Sequence, residues 1–182
     1  MHKKKILAFA GSNSSRSINR KLLDFVIEKI VEHKVDIINL TDYPMPVFGE
    51  DLEREEGYPL KVQMLRNAIA AYDALIIAVN EHNGGPSAFF KNTIDWLSRF
   101  DRNFLEGKKI LLMSTSRGRG GASLSLEYAK MVLPRFGAEV IESFSVPSFN
   151  HVFDSENQMI TDEVLLMGIY EMVGNFERII EA

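Results

Sequence analysis

Three short runs of the sequence are apolar at every position: Ile6 to Ala10, Leu75 to Val79 and Ile110 to Met113. Continuous apolarity over about five residues indicates burial on both faces, which is typical of the central strands of a parallel sheet. Two mixed runs, Val35 to Leu40 and Val140 to Val146, carry polar residues as well. They suit the edges of a sheet, where one side of a strand meets water. The five runs therefore predict three central and two edge strands.

Segments with helical spacing separate these strands. Leu22, Val26 and Ile30 recur on one face after the first strand, and further helical patterns lie at PLKVQMLRNAIAAY, at residues 87–100 and at GASLSLEYAKMVLPRF. A closing helix is predicted in TDEVLLMGIYEMVGNFERIIEA, with Thr161 as its N-cap. Strict alternation of strands and helices implies right-handed crossovers. The prediction is an α/β three-layer sandwich whose parallel five-stranded sheet has the flavodoxin-like order 2-1-3-4-5.

Length and composition limit the classes of protein. The 182 residues fit a single domain over residues 1–182. A net charge of −4 provides no basic field, so we expect neither nucleic acid nor a membrane surface as a partner. The absence of cysteine removes disulfides and thiol chemistry, and the four histidines lack metal-ligand spacing, so no metal is expected. The N-terminal apolar run is too short for a signal or membrane segment, which makes the cytoplasm the expected compartment.

One long segment has no clear pattern. Residues 43–59, YPMPVFGEDLEREEGYP, carry a run of charges between prolines and glycines. A solvated surface loop is the simpler interpretation, and a flap beside a binding site is the alternative.

The candidate site lies where the central strands end. In an open parallel sheet, ligands bind beyond the carboxyl ends of the strands where the strand order reverses. The first loop there, residues 11–19, brings Ser12, Ser14, Ser15, Ser17 and Asn19 to the start of a helix. A helix N-terminus with several hydroxyl donors is suited to an anion, to which Arg16 or Arg20 would add positive charge. A plain N-cap needs only one such residue, so we predict a phosphate site. No Walker or dinucleotide pattern is present, which favours a phosphate monoester.

Two further polar, glycine-bearing loops leave the same edge. Residues 80–86 carry Glu81, His82 and Asn83 before Gly84 and Gly85, and residues 114–123 read STSRGRGGAS. A simple turn explains the glycines of either loop, whereas close approach of backbone to a flat ligand explains the polar neighbours as well. No nucleophile elbow is present in either loop.

Together these loops resemble the NAD(P)H-dependent FMN reductases, a family that includes flavin, quinone, azo and chromate reductases. GSNSSRSINRKL is similar to the family's phosphate loop, and NEHNGGPSAFFKNTIDWLSR is similar to its P-E-Y-N-x-x-x-P hallmark with the K-N-x-I-D-W helix. The resemblance runs from about residue 4 to 148. Three positions depart from the pattern: Ser14 replaces an arginine, Asn80 replaces the hallmark proline and His82 replaces its tyrosine.

The resemblance implies FMN as cofactor and NADPH or NADH as co-substrate. It assigns three groups of cofactor-binding residues and no catalytic side chain, since the cofactor performs the chemistry. The FMN phosphate would be held by Ser12, Ser17 and Asn19, with Ser14 and Arg16 at the position of the missing arginine. The isoalloxazine would be edged by Glu81, His82, Asn83 and Gly84, and closed on its other side by Ser116, Gly118 and Gly121.

The helix at residues 87–100 bears on assembly. Its apolar arc, which includes Phe90, Trp96 and Leu97, is wider than a one-sided surface helix needs. A covering loop or a partner subunit must therefore bury the apolar residues that the sheet does not cover. The family resemblance favours a homodimer or homotetramer through this helix. An FMN-dependent oxidoreductase acting on a quinone, flavin, azo compound or metal oxyanion is the leading functional hypothesis. A flavodoxin-like electron carrier and a relative that has lost flavin are the alternatives.

Overall fold

The fold is known from a computed structural model that describes residues 3–182. Its strands are β1 Lys5–Ala10, β2 Lys34–Ile37, β3 Ala74–Val79, β4 Glu81–His82, β5 Gly85–Pro86, β6 Lys109–Thr115, β7 Glu139–Val146, β8 Phe153–Asp154 and β9 Met159–Ile160. Five of them form one parallel sheet in the order β2-β1-β3-β6-β7. This is the predicted 2-1-3-4-5 order of sheet strands, because β4 with β5 and β8 with β9 form separate two-stranded hairpins. The predicted flavodoxin-like fold is confirmed.

Helices cover both faces of the sheet. They are α1 Ile18–Ile27, α2 Glu50–Glu56, α3 Leu60–Ala70, α4 Ala88–Phe100, α5 Ser123–Val132, α6 Phe149–Val152 and α7 Glu163–Glu181. Alternate residues of the central strands enter two separate cores. Ile6 and Ala8 of β1 pack with α1 and α7, whereas Leu7 and Phe9 pack with α3, α4 and α5. Burial on both faces therefore accounts for the continuous apolar runs.

Several local boundaries differ from the sequence prediction, and three of them concern residues named there. β2 ends at Ile37, and Leu40 begins a short 3-10 turn instead of closing the strand. Helix α1 ends at Ile27, so Ile30 lies in the following loop although it remains buried. The N-cap of α7 is Asp162, whose carboxylate accepts a hydrogen bond from Leu165 N at 2.9 Å, and not Thr161. Asp is the stronger cap of the two, and a carboxylate also favours the positive helix end.

Residues 43–58, called the strap below, contain a helix and make specific contacts with α4. They include helix α2 and lie along α4. The carbonyl of Pro46 accepts hydrogen bonds from Trp96 Nε1 at 2.8 Å and Asn92 Nδ2 at 2.9 Å, and Phe48 N donates to Asn92 Oδ1 at 2.8 Å. The Phe48 ring meets Trp96 edge-to-face at a centroid distance of 5.1 Å. The prediction of an irregular loop is therefore wrong for residues 50–56, which are helical, whereas the predicted surface position holds, since no residue of α2 is buried.

The strap explains the wide apolar arc of α4. Trp96, Leu97 and Phe90 are buried within this one chain. At the far end of the strap, Arg99 pairs with Glu53 at 2.8 Å, and the Tyr58 hydroxyl donates to the same carboxylate at 3.0 Å. Of the two explanations offered by the sequence, the structure shows the covering loop.

Candidate functional site

A cleft of about 360 Å³ opens at the carboxyl ends of β1, β3 and β6. This is the edge where the order of the sheet strands reverses, and its volume is within the usual range of small-ligand sites. The lining residues come from all three predicted loops: Ser12, Ser14, Arg16, Ser17, Ile18, Asn19, Asn80, Glu81, His82, Thr115, Ser116 and Arg117. Eight of the twelve predicted site residues are among them; Asn83, Gly84, Gly118 and Gly121 are not.

The first loop, residues 11–19, is called the serine loop and presents three hydroxyl groups with a common arrangement. The oxygens of Ser12, Ser14 and Ser17 accept hydrogen bonds from the backbone N–H groups of Ser14, Arg16 and Arg20, each at 3.2 Å. A hydroxyl that accepts in this way keeps its own proton to donate. Ser17 is also the N-cap of α1, where the helix end carries partial positive charge. The loop is therefore built to donate hydrogen bonds to an anion.

Asn19 has a different position from the serines. Only 4% of its surface is exposed, and both ends of its carboxamide bind the backbone of Thr115. Nδ2 donates to Thr115 O at 3.1 Å and Oδ1 accepts from Thr115 N at 2.9 Å. Asn19 thus fixes the start of α1 against the end of β6. Its predicted contact with a phosphate stays a prediction, since Oδ1 and one of the two Nδ2 protons are already paired with Thr115.

The second loop is a hairpin. Asn83 and Gly84 both have positive φ, 53° and 77°, and join β4 to β5 as the two-residue turn that Asn-Gly favours. The positive φ of Gly84 serves this turn, which is the simpler of the two explanations that the sequence left open for this glycine, and its contact with a ligand stays a prediction. The Asn-Gly pair was the signal for the hairpin. His82 is exposed on the first strand of the hairpin and lines the cleft.

Glu81 connects the second loop to the third. Its Oε2 accepts a hydrogen bond from Ser125 N at 3.1 Å, in the first turn of α5. The N-cap residue of α5 is Ala122, which has no side-chain acceptor, so Glu81 takes over that function from a distant part of the chain. Ser87 makes the corresponding link to the first loop, donating from Oγ to Gly11 O at 3.0 Å.

The third loop is held at its base by a glycine. Gly121 has a φ of +59°, and a Cβ there would overlap Ser145 Oγ and come within 3.1 Å of Pro147 N. Its carbonyl accepts hydrogen bonds from Ser114 Oγ at 2.8 Å and Ser145 Oγ at 2.9 Å. Gly118 binds the next segment through its carbonyl, which accepts from Ser148 N at 2.9 Å. Ser116 lines the cleft, whereas these two glycines shape the loop that carries it.

Four cleft residues were not among the predicted cofactor ligands: Ile18, Asn80, Thr115 and Arg117. Among the residues that the structure describes, no cluster of His, Asp or Glu is arranged to hold a metal ion. Within the same range, no helix has the length and apolarity needed to cross a bilayer.

The cleft fits FMN by the chemistry of its lining. Three hydroxyl donors and a helix N-terminus stand at one end, where a phosphate monoester would bind. Asn80, which follows β3 and lines the same cleft, has a buried carboxamide oxygen that no group in the described chain satisfies. Fold and cleft together define a flavodoxin-like, mononucleotide-binding type of protein.

Comparison with known proteins identifies the family. The chain belongs to the family described as NADPH-dependent FMN reductase, which matches residues 4–151. It is 26% identical over 162 residues to an NAD(P)H-dependent FMN reductase of Pseudomonas aeruginosa, covering 87% of this chain and 86% of that one. It is 30% identical over 120 residues to a quinone reductase of Escherichia coli K12, covering 60% of this chain and 64% of the relative.

A solved structure agrees with these relatives. FerB of Paracoccus denitrificans, described as a flavoenzyme NAD(P)H:(acceptor) oxidoreductase, has a TM-score of 0.79 to this chain at 26% sequence identity. The match covers 98% of this chain and 97% of FerB. The two chains therefore share nearly their whole fold.

Proposed function

We infer that the protein is an FMN-dependent NAD(P)H oxidoreductase, as its family membership indicates. FMN is the cofactor and NAD(P)H the co-substrate. The observation that carries this conclusion is the cleft itself, where three serine hydroxyls free to donate stand at the N-terminus of α1. When bound, FMN supplies the hydride chemistry, taking hydride from a nicotinamide and passing it to an acceptor.

The chain's own residues position the cofactor. Ser12, Ser14 and Ser17 would donate to phosphate oxygens, and Arg16, at the same end of the cleft, would add positive charge. Ser116 and His82 would stand at the ring, one from each flanking loop. Glu81 keeps those two loops together through α5. We propose no side-chain acid or base for the hydride steps, so no single substitution in the cleft should abolish turnover by removing a catalytic group.

The acceptor is proposed at the level of its class. Quinones, free flavins, azo compounds and metal oxyanions are the candidates, because relatives that act on quinones and on FMN match this chain. Arg117 lines the cleft and is a candidate for contact with the extra phosphate of NADPH, as is Arg119 on the same loop. We propose the cytoplasm as the site of action.

The protein is also proposed to form a homo-oligomer. Most apolar residues of the predicted interface, helix 87–100, are buried within this chain, in the sheet core or under the strap, so α5 offers the more exposed surface. Leu124 and Met131 of α5 are 61% and 58% exposed, and both lie on one face of the helix together with half-buried Tyr128. Leu124 is also the nearest side chain to Gly84, which places this face beside the hairpin at the rim of the cleft.

Anaerobic mixing tests the proposed activity. Purified protein loaded with FMN is mixed with NADPH or NADH, and the flavin absorbance is followed. Bleaching within seconds, followed by recovery of the absorbance on addition of a quinone, is the expected result. Flavin that binds but is not reduced by either nicotinamide would identify an electron carrier. A protein that neither binds FMN nor gains thermal stability from it would contradict the proposal.

A further inference from the structure

Asn19 joins two parts of the cleft that are far apart in the sequence. It lies in the first turn of α1, is only 4% exposed, and pairs its carboxamide with both backbone groups of Thr115, the last residue of β6. The ladder between β3 and β6 ends one residue earlier, at Val79 and Ser114. Thr115 therefore offers its N–H and C=O to a side chain at the point where β3 no longer pairs with β6.

This pair of hydrogen bonds sets the distance between the two ends of the cleft. Ser17, the N-cap of α1, carries one of the proposed phosphate donors, and Ser116 directly follows Thr115; both line the cleft. A ligand that reaches Ser17 and Ser116 together must match the spacing between them. Because Asn19 and Thr115 lie within two residues of these serines, their hydrogen bonds fix that spacing. Groups that are held in place before a ligand binds raise its affinity, since less conformational freedom is lost on binding.

A direct contact with the phosphate is the competing role for Asn19. Its Oδ1 and one Nδ2 proton are paired with Thr115, which leaves one Nδ2 proton for a ligand. The hydroxyls of the serine loop already supply three donors at this end of the cleft: Ser12, Ser14 and Ser17. Two hydrogen bonds to Thr115, against at most one to a phosphate, favour a role in positioning.

We propose that Asn19 is a positioning residue, which holds the phosphate end of the cleft at a fixed distance from its ring end and acts through Thr115. This inference rests on the proposed function. Loss of the carboxamide should weaken binding of the flavin ring as well as of the phosphate, because Ser116 and Arg117 lose their fixed place relative to α1. Loss of a phosphate ligand would weaken binding of the phosphate alone.

Riboflavin, which has the ring and ribityl chain of FMN without the phosphate, separates the two roles. In Asn19→Ala we expect the Kd for FMN and the Kd for riboflavin, measured by quenching of flavin fluorescence, both to rise roughly tenfold. Ser17→Ala is the matched comparison, because it removes a proposed phosphate donor and should weaken FMN binding alone. Thr93→Val, which removes a buried hydrogen bond of α4 outside the cleft, controls for general destabilisation and should leave both Kd values unchanged.

Asn19→Asp adds a test that depends on pH. A protonated carboxyl has the shape of a carboxamide and can make the same two hydrogen bonds with Thr115, whereas an ionised one would place a second carboxylate oxygen against Thr115 O. Burial and that repulsion keep the pKa of the new carboxyl above the ordinary Asp value. The ratio of its riboflavin Kd to that of wild type should therefore be high at pH 8 and fall toward one as the pH drops to 5. The charged and titratable groups that line the cleft are common to both proteins, so their own titration largely cancels in the ratio: Arg16, Glu81, His82 and Arg117.

Weaker riboflavin binding in Asn19→Ala, together with recovery of Asn19→Asp at low pH, supports the proposal. Unchanged riboflavin affinity in Asn19→Ala would overturn it, as would a ratio for Asn19→Asp that does not depend on pH. Failure of both variants to fold at any pH would assign Asn19 to the fold itself and would equally overturn it. A wild type that binds neither flavin would instead contradict the proposed function.

Discussion

Neighbouring glycines of the third loop have unequal roles at the scale of single residues. Gly120 has open space where a Cβ would stand, whereas a Cβ on Gly121 would overlap Ser145. Gly121 also has a positive φ of 59°, which side-chain-bearing residues adopt at a cost of about 1–2 kcal/mol. The sequence STSRGRGGAS does not distinguish the two positions. Only the path of β7, which carries Ser145, does so.

We predict that Gly121→Ala lowers the free energy of unfolding by about 2 kcal/mol or more, from backbone strain together with the overlap. Gly120→Ala is the matched control and should change it by less than about 0.5 kcal/mol. Urea unfolding of the FMN-free proteins measures both, since bound cofactor would mask part of the difference. Equal stability of the two variants would show that the loop can move away from Ser145.

A second prediction concerns the serine loop. Ser17→Ala removes the N-cap of α1 and one proposed phosphate donor, so it should cost about 1 kcal/mol of stability and weaken FMN binding roughly tenfold. Riboflavin, which lacks the phosphate, should bind wild type and variant equally well. Asp162→Ala, which removes the N-cap of α7 outside the cleft lining, is the control and should lower stability without changing FMN binding. Equal weakening for FMN and riboflavin would place the effect on the loop structure and not on the phosphate.

The sequence indicated which loops form the cleft but not what each residue does there. Serine hydroxyls at a helix start are a local pattern, and local patterns can be read directly. The partners of Asn19 and Glu81 lie 96 and 44 positions away, so no spacing in the chain predicts them. From the sequence, Asn80 is only a departure from a motif. Its burial and its missing hydrogen-bond partner are properties of the folded state, so the sequence does not show them.

At the scale of elements, the strap is the main difference between expectation and structure. Its charges and prolines suggested a solvated loop because the helix it contains, α2, has few apolar residues. The strap is instead held by side chains of α4, notably Asn92, Trp96 and Arg99. The Arg99 guanidinium, followed by the Tyr58 hydroxyl, lowers the pKa of Glu53 below its ordinary value of 4.5.

This pKa shift predicts how the strap responds to pH. A carboxylate with a depressed folded-state pKa contributes stability above its unfolded pKa and loses it as the pH falls through the folded pKa. Wild type should therefore melt above Glu53→Gln at pH 7, and the difference should narrow as the pH falls below 4.5. Melting curves from pH 7 to pH 3 measure it. Glu56→Gln, an exposed glutamate of the same helix, is the control and should follow wild type throughout. A difference that stays constant over this range would show that Glu53 acts through packing alone.

At the scale of the whole molecule, the fold was predictable because its main signal is redundant. Each central strand is buried on both faces, so its central run is apolar throughout and each residue of that run indicates a central strand. The edge strand β2 was predicted less well, since half-buried residues share their pattern with the turn that follows. The small hairpins β4–β5 and β8–β9 were not predicted, because two-residue strands leave almost no periodicity.

The exposed face of α5 leads to a prediction about assembly. We expect the protein to be dimeric in solution and the double variant Leu124→Lys, Met131→Lys to be monomeric, because two charges on an apolar contact surface oppose its burial. Light scattering after size-exclusion chromatography measures the mass of each. Met167→Lys, on the exposed side of α7, is the control. A wild type that elutes as a monomer at high concentration would contradict the proposed oligomer.

The links between the cleft loops also bear on how such a protein can be altered. Ser87 holds the first loop to the second, Glu81 holds the second to the third, and Asn19 joins the first to the strand that carries the third. Grafting one loop from a relative would leave hydrogen-bond donors or acceptors of the other two loops without their partners. New substrate preferences should therefore be easier to introduce by exchanging the three segments as one cassette, or by changing rim residues such as His82 that bind none of the others.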